Sequence, residues 1–268
     1  MIRCKELNHD FDTQLDMFKA LHANKEKIIG LKQSTVKNSE GFTSNFGVDK
    51  DIIKSIDGLE KGFIYPVINT TKYLDSHLDL HLDGIWKKSV GEQQGKVYYA
   101  LNHDLSIGKI ISYPADVEMF TKMVAWKDLG RTYDGETQAL IFKTNLSDYS
   151  NADARNVIEK ELPSQNSVRM QYVALTLAMN SDERKFVEER DTWEKHYAVI
   201  ANKGVAEESK YFWAVSEAKI YKESSLVLEG SNDATPIIYV KEAVLDTSKQ
   251  IDEAAKALQL KQFYKSLI

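Results

Sequence analysis

The feature that most constrains the fold is a series of short β-branched or aromatic runs, interrupted by Gly, Pro or Asn, that begins at Gly62. Runs of this kind are typical of β-strands separated by turns. Because only a few helical stretches lie between them, we expect an α+β chain, an antiparallel sheet or barrel with helices packed outside. The runs are GFIYPVINT, KVYYALN, KIISYPA, ETQALIFKTNL, VRMQYVALTLAM, WAVSEAKIY and SSLVLEG.

The first 60 residues are predicted to form an N-terminal extension, a helix followed by a linker. Apolar residues recur at helical spacing over residues 11–29, and Asp12 or Thr13 can cap that helix. Residues 30–60 carry four glycines among polar residues, which is typical of a loop. The apolar positions of the helix are Leu15, Phe18, Leu21 and Ile28.

Further helices are predicted at four places. A short helix is expected within residues 115–128, and another begins near Asn151 and ends before Pro163. The highly charged residues 181–210 are typical of a solvated helical insertion. A last helix is expected in residues 241–268, from Asp246 onward, where apolar residues again recur at helical spacing.

Composition and charge exclude several classes of function. Charged residues make up 28% of the chain and are interleaved, with a net charge of -5, so no nucleic-acid partner is expected. No apolar run approaches the roughly 20 residues of a membrane helix, and the N-terminus lacks the apolar core of a signal peptide. Cys4 is the single cysteine, which rules out an internal disulfide and suits a reducing cytoplasm. We therefore expect a soluble, intracellular protein in which Cys4 lies in a mobile terminus and is no nucleophile.

Three residues occur in phrases that suit an activated serine. His103 follows the apolar run VYYAL, Ser167 opens the longest apolar stretch, and Glu223 precedes a short strand. A serine hydroxyl needs an imidazole to accept its proton, and a carboxylate can fix the tautomer of that imidazole. Taken singly, each residue is more often structural than catalytic. The chain order His, Ser, acid differs from the three common orders of such triads.

The third member and the oxyanion partner are less specific. Glu217 or Asp104, as well as Glu223, could reach the far nitrogen of His103. Arg169, two residues after Ser167, can stabilise a developing oxyanion, although such an arginine is more often a surface strand residue.

A competing hypothesis places a metal in YLDSHLDLHLDG. In a strand, residues two apart share a face, so alternating carboxylates and imidazoles would line one side and could ligate zinc, manganese or iron. The simpler interpretation is a half-buried strand with its leucines inward and its acids in water. The residues of the metal hypothesis are Asp75, His77, Asp79, His81 and Asp83.

Between about Val67 and Pro236, these phrases together resemble the tailed-phage prohead proteases, which are related to herpesvirus assemblin. The phrases that carry the resemblance are NTTKYLDSHLDLHLDGIWKKSV, KVYYALNHDLSIGKI, MVAWKDLGRTYDGETQALIFKTNL, PSQNSVRMQYVALTLAM and ESSLVLEGSNDATP. One position departs from the family pattern: relatives often have Gly two residues after the serine, where this chain has Arg169. A side chain there would crowd a substrate that approaches the backbone.

The resemblance implies a small, mostly antiparallel β-barrel wrapped by helices, with the protease domain at residues 61–240. It implies His103 as general base, Ser167 as nucleophile and Glu223 as the third member of a serine endopeptidase that needs no cofactor or metal. The implied substrates are phage scaffold and major capsid proteins, cut inside the immature capsid in the host cytoplasm, and the protease itself. We expect no nucleic-acid or membrane partner, and a homodimer or other self-association is a further hypothesis.

Three other functions stay open from the sequence. The chain could be a catalytically degenerate relative kept as an assembly factor, or a metal-dependent hydrolase centred on residues 75–83. It could also be a binding module without chemistry.

Overall fold

The computed structural model describes residues 1–37, 58–232 and 234–239. In these ranges the chain forms six α-helices and eleven β-strands. The helices are α1 Gln14–Ala23, α2 Lys25–Ser34, α3 Lys87–Gln93, α4 Ala152–Glu159, α5 Val187–Tyr197 and α6 Lys203–Ser209. The strands are β1 Ile2–Cys4, β2 His9–Phe11, β3 Ile64–Thr70, β4 Asp79–His81, β5 Tyr98–Leu101, β6 Ile110–Ser112, β7 Glu118–Ala125, β8 Glu136–Lys143, β9 Gln165–Met179, β10 Tyr211–Val227 and β11 Ile237–Tyr239.

The long strand β10 organises the largest sheet. Along one edge it pairs antiparallel with β9, and along the other it pairs parallel with β4 and β5. β6 extends this sheet by pairing with β5. A four-stranded antiparallel sheet has the order β11-β3-β8-β7, and β1 pairs with β2. The mixed α/β class is thus confirmed, but the strands of the described ranges form separate sheets and no closed barrel is found.

Two hydrophobic clusters hold the sheets together. Side chains alternate along a strand, so β3 turns Ile64 and Ile68 into the main core and Tyr65 and Val67 into a second cluster. Every residue of β3 is buried as a result. The main core also takes side chains from α1, β8, β9, α5 and β10, among them Phe18, Phe142, Tyr172, Trp193 and Phe212.

Most predicted strands form, but two segments differ from the prediction. The helix expected within 115–128 is wrong: β7 occupies most of it and pairs with β8 along its whole length. Tertiary pairing outweighs local propensity there. The segments WAVSEAKIY and SSLVLEG form one strand, β10, which bulges at Glu217 and again between Ile220 and Ser224.

The other helix predictions fare better. The helix over 11–29 forms as α1 and α2 with a break at Asn24, and the Thr13 side chain caps α1 by accepting from the Asp16 amide. Leu15, one of the apolar positions at helical spacing, is 36% exposed and does not belong to the buried face of α1. The helix near Asn151 forms as α4, with the Asn151 side chain as its cap.

The charged segment 181–210 forms α5 and α6, as expected of a helical segment. The expected helix from Asp246 and most of the predicted linker lie outside the described residues, but the loop prediction is wrong for residues 30–34, which continue α2. No helix within the described ranges is both long and apolar enough to span a bilayer.

The described part of the N-terminal 60 residues packs into the main core. α1 contributes Met17 and Leu21 to it, and the backbone of Lys37 pairs with Met170 of β9. Cys4 is fully buried in β1, so the expectation of a mobile terminus there is wrong. Burial is also the main reason that the pKa of the Cys4 thiol is raised.

A buried ionic cluster ties this N-terminal segment to the sheet. Lys32 Nζ lies 2.6 Å from one carboxylate oxygen of Asp79, and Lys37 Nζ contacts the other. The Tyr172 hydroxyl of β9 donates to the same Asp79 carboxylate at 2.9 Å. Burial disfavours the charged carboxylate, but the two lysines outweigh it and lower the pKa of Asp79 to about 2.

Asp75 belongs to the same buried cluster, but its pKa is raised and not lowered. Its Oδ1 accepts from the backbone amides of His77 and Asp79 at 2.8 and 2.9 Å. Burial, and next the Asp79 charge, raise the pKa of Asp75 to about 7. Asp75 therefore binds a proton more readily in the folded chain than in the unfolded chain.

We predict that Asp75→Asn flattens the pH dependence of stability. Between about pH 4 and pH 7 the folded wild type holds a proton on Asp75 that the unfolded chain loses, so its free energy of unfolding falls as pH rises. An asparagine keeps the Oδ1 acceptor but cannot titrate. Urea unfolding of both proteins at pH 5 and pH 7 should show a smaller decrease for Asp75→Asn, and equal decreases would contradict the assignment.

Candidate active site

Three adjacent strands bring together residues that are far apart in the chain. Ser167 lies near the start of β9, Glu223 lies in β10, and His103 follows the end of β5. In the ladder, Ser167 pairs with Ser225 of β10, and Glu223 pairs with Tyr98 of β5. These three strands therefore bring Ser167, Glu223 and His103 together at one end of the largest sheet.

The three side chains form a continuous hydrogen-bonded chain. His103 Nε2 lies 2.6 Å from Ser167 Oγ, and His103 Nδ1 lies 2.8 Å from Glu223 Oε1. The Glu223 side chain is fully buried and that of His103 is 11% exposed. With a proton on Nδ1 the imidazole donates to the carboxylate, and Nε2 is then free to accept the serine proton.

A tight turn after β5 presents the imidazole. Asn102 and His103 have φ angles of 55° and 56°, and the Asp104 amide donates back to the Leu101 carbonyl at 3.2 Å. Two consecutive positive φ angles are the signature of a type I′ turn, in which Asn is favoured. The turn closes onto β10, because the Asn102 amide donates to the Leu226 carbonyl at 2.9 Å.

A bulge in β10 precedes the carboxylate. The β9–β10 register shifts between Ile220 and Ser224, and Lys222 within this bulge has a φ of 68°. Bulges change the direction in which a strand presents its side chains. After this bulge, Glu223 and Ser225 lie on one face, where the Ser225 hydroxyl donates to Glu223 Oε2 at 2.7 Å.

Of the three acids considered from the sequence, Glu223 is the one bonded to the imidazole. The Glu217 carboxylate lies 3.5 Å from Lys88 Nζ, and Asp104 accepts from the Ser106 backbone amide at 2.8 Å. That bond, with the Ser106 hydroxyl, lowers the pKa of Asp104.

Arg169 lies two residues beyond Ser167 on β9, hence on the same face of the strand. Its guanidinium carbon is 5.5 Å from the ring centroid of Tyr221, within the range of a cation–π contact. Its Nε is buried without a hydrogen-bond partner among the described residues. A role at the oxyanion stays a prediction.

The segment of the metal hypothesis is folded differently from the single strand that the alternation predicts. Only Asp79–His81 forms a strand, and its three residues, the acid included, are buried on both faces. The His81 ring nitrogens bond to Asn69 and to the Tyr172 hydroxyl, while His77 is exposed. Burial is the main cause that lowers the pKa of His81 to about 4. Within residues 1–37, 58–232 and 234–239 no three His, Cys, Asp or Glu side chains converge as metal ligands.

Two supporting residues were not singled out from the sequence. Ser225 contacts both Glu223 and His103, and its spacing of two from Glu223 in a strand is a signal that could have indicated a shared face. Asn166 anchors the start of β9, since it accepts from the Tyr99 hydroxyl at 2.7 Å and donates to the Thr235 carbonyl at 2.9 Å. Nothing local in the sequence indicates those long-range bonds.

No family model, no curated protein and no solved structure matches this chain. A buried carboxylate, an imidazole and a serine hydroxyl in line can transfer the serine proton and stabilise the imidazolium that forms.

We predict that Glu223→Ala destabilises the fold more than Ser167→Ala does. Loss of the buried carboxylate leaves the His103 Nδ1–H and the Ser225 hydroxyl unpaired, at a cost of about 1–3 kcal/mol in the free energy of unfolding. Ser167→Ala removes the partner of His103 Nε2, which lies on a ring that is in part exposed to water. Urea denaturation of both variants at pH 7 measures the difference, and equal stabilities would contradict this account of the bonds.

Proposed function

We propose that the chain is a serine endopeptidase in which Ser167 is the nucleophile, His103 the general base and Glu223 the residue that orients His103. The observation that carries the proposal is the unbroken hydrogen-bonded chain from Glu223 Oε1 through both ring nitrogens of His103 to Ser167 Oγ. An imidazole that faces a hydroxyl on one side and a buried carboxylate on the other has the arrangement that serine activation requires.

The proposed reaction is acyl transfer. His103 Nε2 removes the Ser167 proton while Oγ attacks the peptide carbonyl carbon, and the carbonyl oxygen becomes an oxyanion. Backbone amides near the nucleophile, with Arg169, stabilise that charge. His103 then gives the proton to the departing amine as the C–N bond breaks. Water then attacks the acyl carbon while His103 accepts a proton from it. His103 returns that proton to Ser167 Oγ as the acid leaves, which restores the serine.

The substrates that we propose are the scaffold and capsid-protein extensions of a tailed phage, cut inside the immature capsid. What supports this is the order of the resembling phrases along the chain. The histidine phrase covers β5 and the turn that carries His103, the nucleophile phrase covers all of β9, and the glutamate phrase covers the end of β10. We further propose that the fold is related to the assemblin barrel, with β9 and β10 as the shared pair.

A degenerate assembly factor is the main alternative. A relative that has lost catalysis is under no requirement to keep Ser167 within hydrogen-bonding distance of His103, whereas the two atoms are 2.6 Å apart. This distance favours a functional nucleophile.

We predict that a fluorophosphonate probe labels Ser167 in the purified full-length chain and that Ser167→Ala abolishes labelling. Alanine has no hydroxyl to bond to the probe, and loss of the nucleophile lowers the rate by factors on the order of 10⁶ in other serine proteases. Ser164→Ala is the matched control, because Ser164 precedes β9 and its hydroxyl bonds to the Leu162 carbonyl. Mass spectrometry of the labelled peptides identifies the modified residue.

Co-expression of the chain with the capsid and scaffold proteins that we propose as substrates tests that part of the proposal. The wild type should produce shortened capsid and scaffold proteins, and Ser167→Ala should leave them at full length. If both chains shorten the capsid and scaffold proteins equally, the protease assignment fails, whereas labelling of Ser167 without any capsid processing would exclude only the proposed substrates.

A further inference from the structure

Ser225 connects two parts of the site through a single oxygen atom. Its hydroxyl donates to Glu223 Oε2 at 2.7 Å and accepts from the backbone amide of His103 at 3.0 Å. Ser225 is fully buried, so water cannot replace either bond without a change in packing. A serine hydroxyl has one proton to donate and can accept as well, and both capacities are used here.

The backbone amide that Ser225 holds belongs to an unusual conformation. His103 has a positive φ in a turn whose two central residues are both left-handed, a region that non-glycine residues seldom occupy. Conformations of this kind persist when surrounding contacts over-determine them. Two consecutive amides of the turn are held by β10: that of Asn102 by the Leu226 carbonyl and that of His103 by Ser225.

The Glu223 carboxylate is held at both oxygens. Oε1 faces His103 Nδ1, and Oε2 accepts from the Ser225 hydroxyl. A carboxylate bonded at one oxygen only can rotate about its last torsion, which is broad for Glu. The second bond therefore selects the rotamer that points Oε1 at the imidazole.

We propose that Ser225 is a positioning residue that locks the Glu223 carboxylate and the His103 backbone into one geometry. Its consequence for catalysis rests on the proposed function, whereas its effect on the imidazole does not. Ser225 pairs with Ser167 in the β9–β10 ladder, so Ser225 also lies beside the proposed nucleophile. Displacement of the base by as little as 1 Å is sufficient to slow such a reaction about 100-fold.

The neighbouring Ser224 offers a matched control. It is the same residue type on the same strand and is also fully buried, but its hydroxyl has no hydrogen-bond partner among the described residues. Removal of that hydroxyl should leave the site unchanged. Ser225→Thr retains a hydroxyl at the tested position and serves as the rescue variant.

The test compares wild type, Ser225→Ala, Ser225→Thr and Ser224→Ala in the full-length chain. The first measurement is the downfield proton NMR signal of the His103 Nδ1–H, identified by its absence from His103→Gln and recorded well below the melting temperature. The second is the rate of fluorophosphonate labelling, separated into the maximal rate and the probe concentration at half-maximal rate.

We expect Ser225→Ala to lose or shift the downfield signal and to lower the maximal labelling rate about 10- to 100-fold, with the half-maximal concentration unchanged. Ser225→Thr should recover both, and Ser224→Ala should match the wild type. A merely structural role of Ser225 would lower the melting temperature but leave the signal of the folded protein in place.

The two proposals fail in different ways. If Ser225→Ala keeps the wild-type signal, the positioning role is overturned whatever the labelling shows. If the wild-type signal depends on Ser225 but Ser167 is never labelled, the positioning role stands and the protease proposal fails.

Discussion

The antiparallel pairing of β9 with β10 is the interaction on which the rest of the structure depends. It runs from Gln165 and Val227 at one end to Met179 and Tyr211 at the other, and β10 uses its second edge for β4 and β5. Ladder pairing with a buried face allows little slippage, because a shift by one residue would turn every side chain to the opposite face. The site is built where this pairing is interrupted, since a bulge precedes Glu223 and a left-handed turn carries His103.

Buried charges as well as apolar packing attach the N-terminal segment to the sheet. Asp79 takes two lysine partners from residues 32–37 and a tyrosine partner from β9. A buried ion pair adds little net stability over apolar packing, but the loss of one partner leaves an uncompensated charge. Through Tyr172 the same carboxylate also links the N-terminal segment to β9, the strand that carries Ser167.

Sequence patterns predicted most strands, the caps at Thr13 and Asn151, and the helices of the charged segment. The predictions were wrong where pairing with a neighbouring strand determined the structure of a segment. Local sequence predicts a helix within residues 115–128, but pairing with β8 makes most of this segment a strand. Local sequence also predicts two short strands where the single bulged strand β10 forms. In residues 75–83 the alternation predicts one solvent-facing side, but Lys32 and Lys37 pair with Asp79 and allow this acid to be buried together with its neighbouring leucines.

The sequence by itself determined the residue types of the site and their attachment to strand ends, because a buried apolar run with a polar residue at its end is a local pattern. Tertiary structure alone decided which acid meets the imidazole. Glu217, Glu223 and Asp104 are equivalent in local sequence, and only the register of β10 and its bulge direct Glu223 to His103. It also gave Ser225 its bond to the His103 amide, since that bond joins residues more than a hundred positions apart in the chain. Such pairings depend on non-local contacts that no local pattern records.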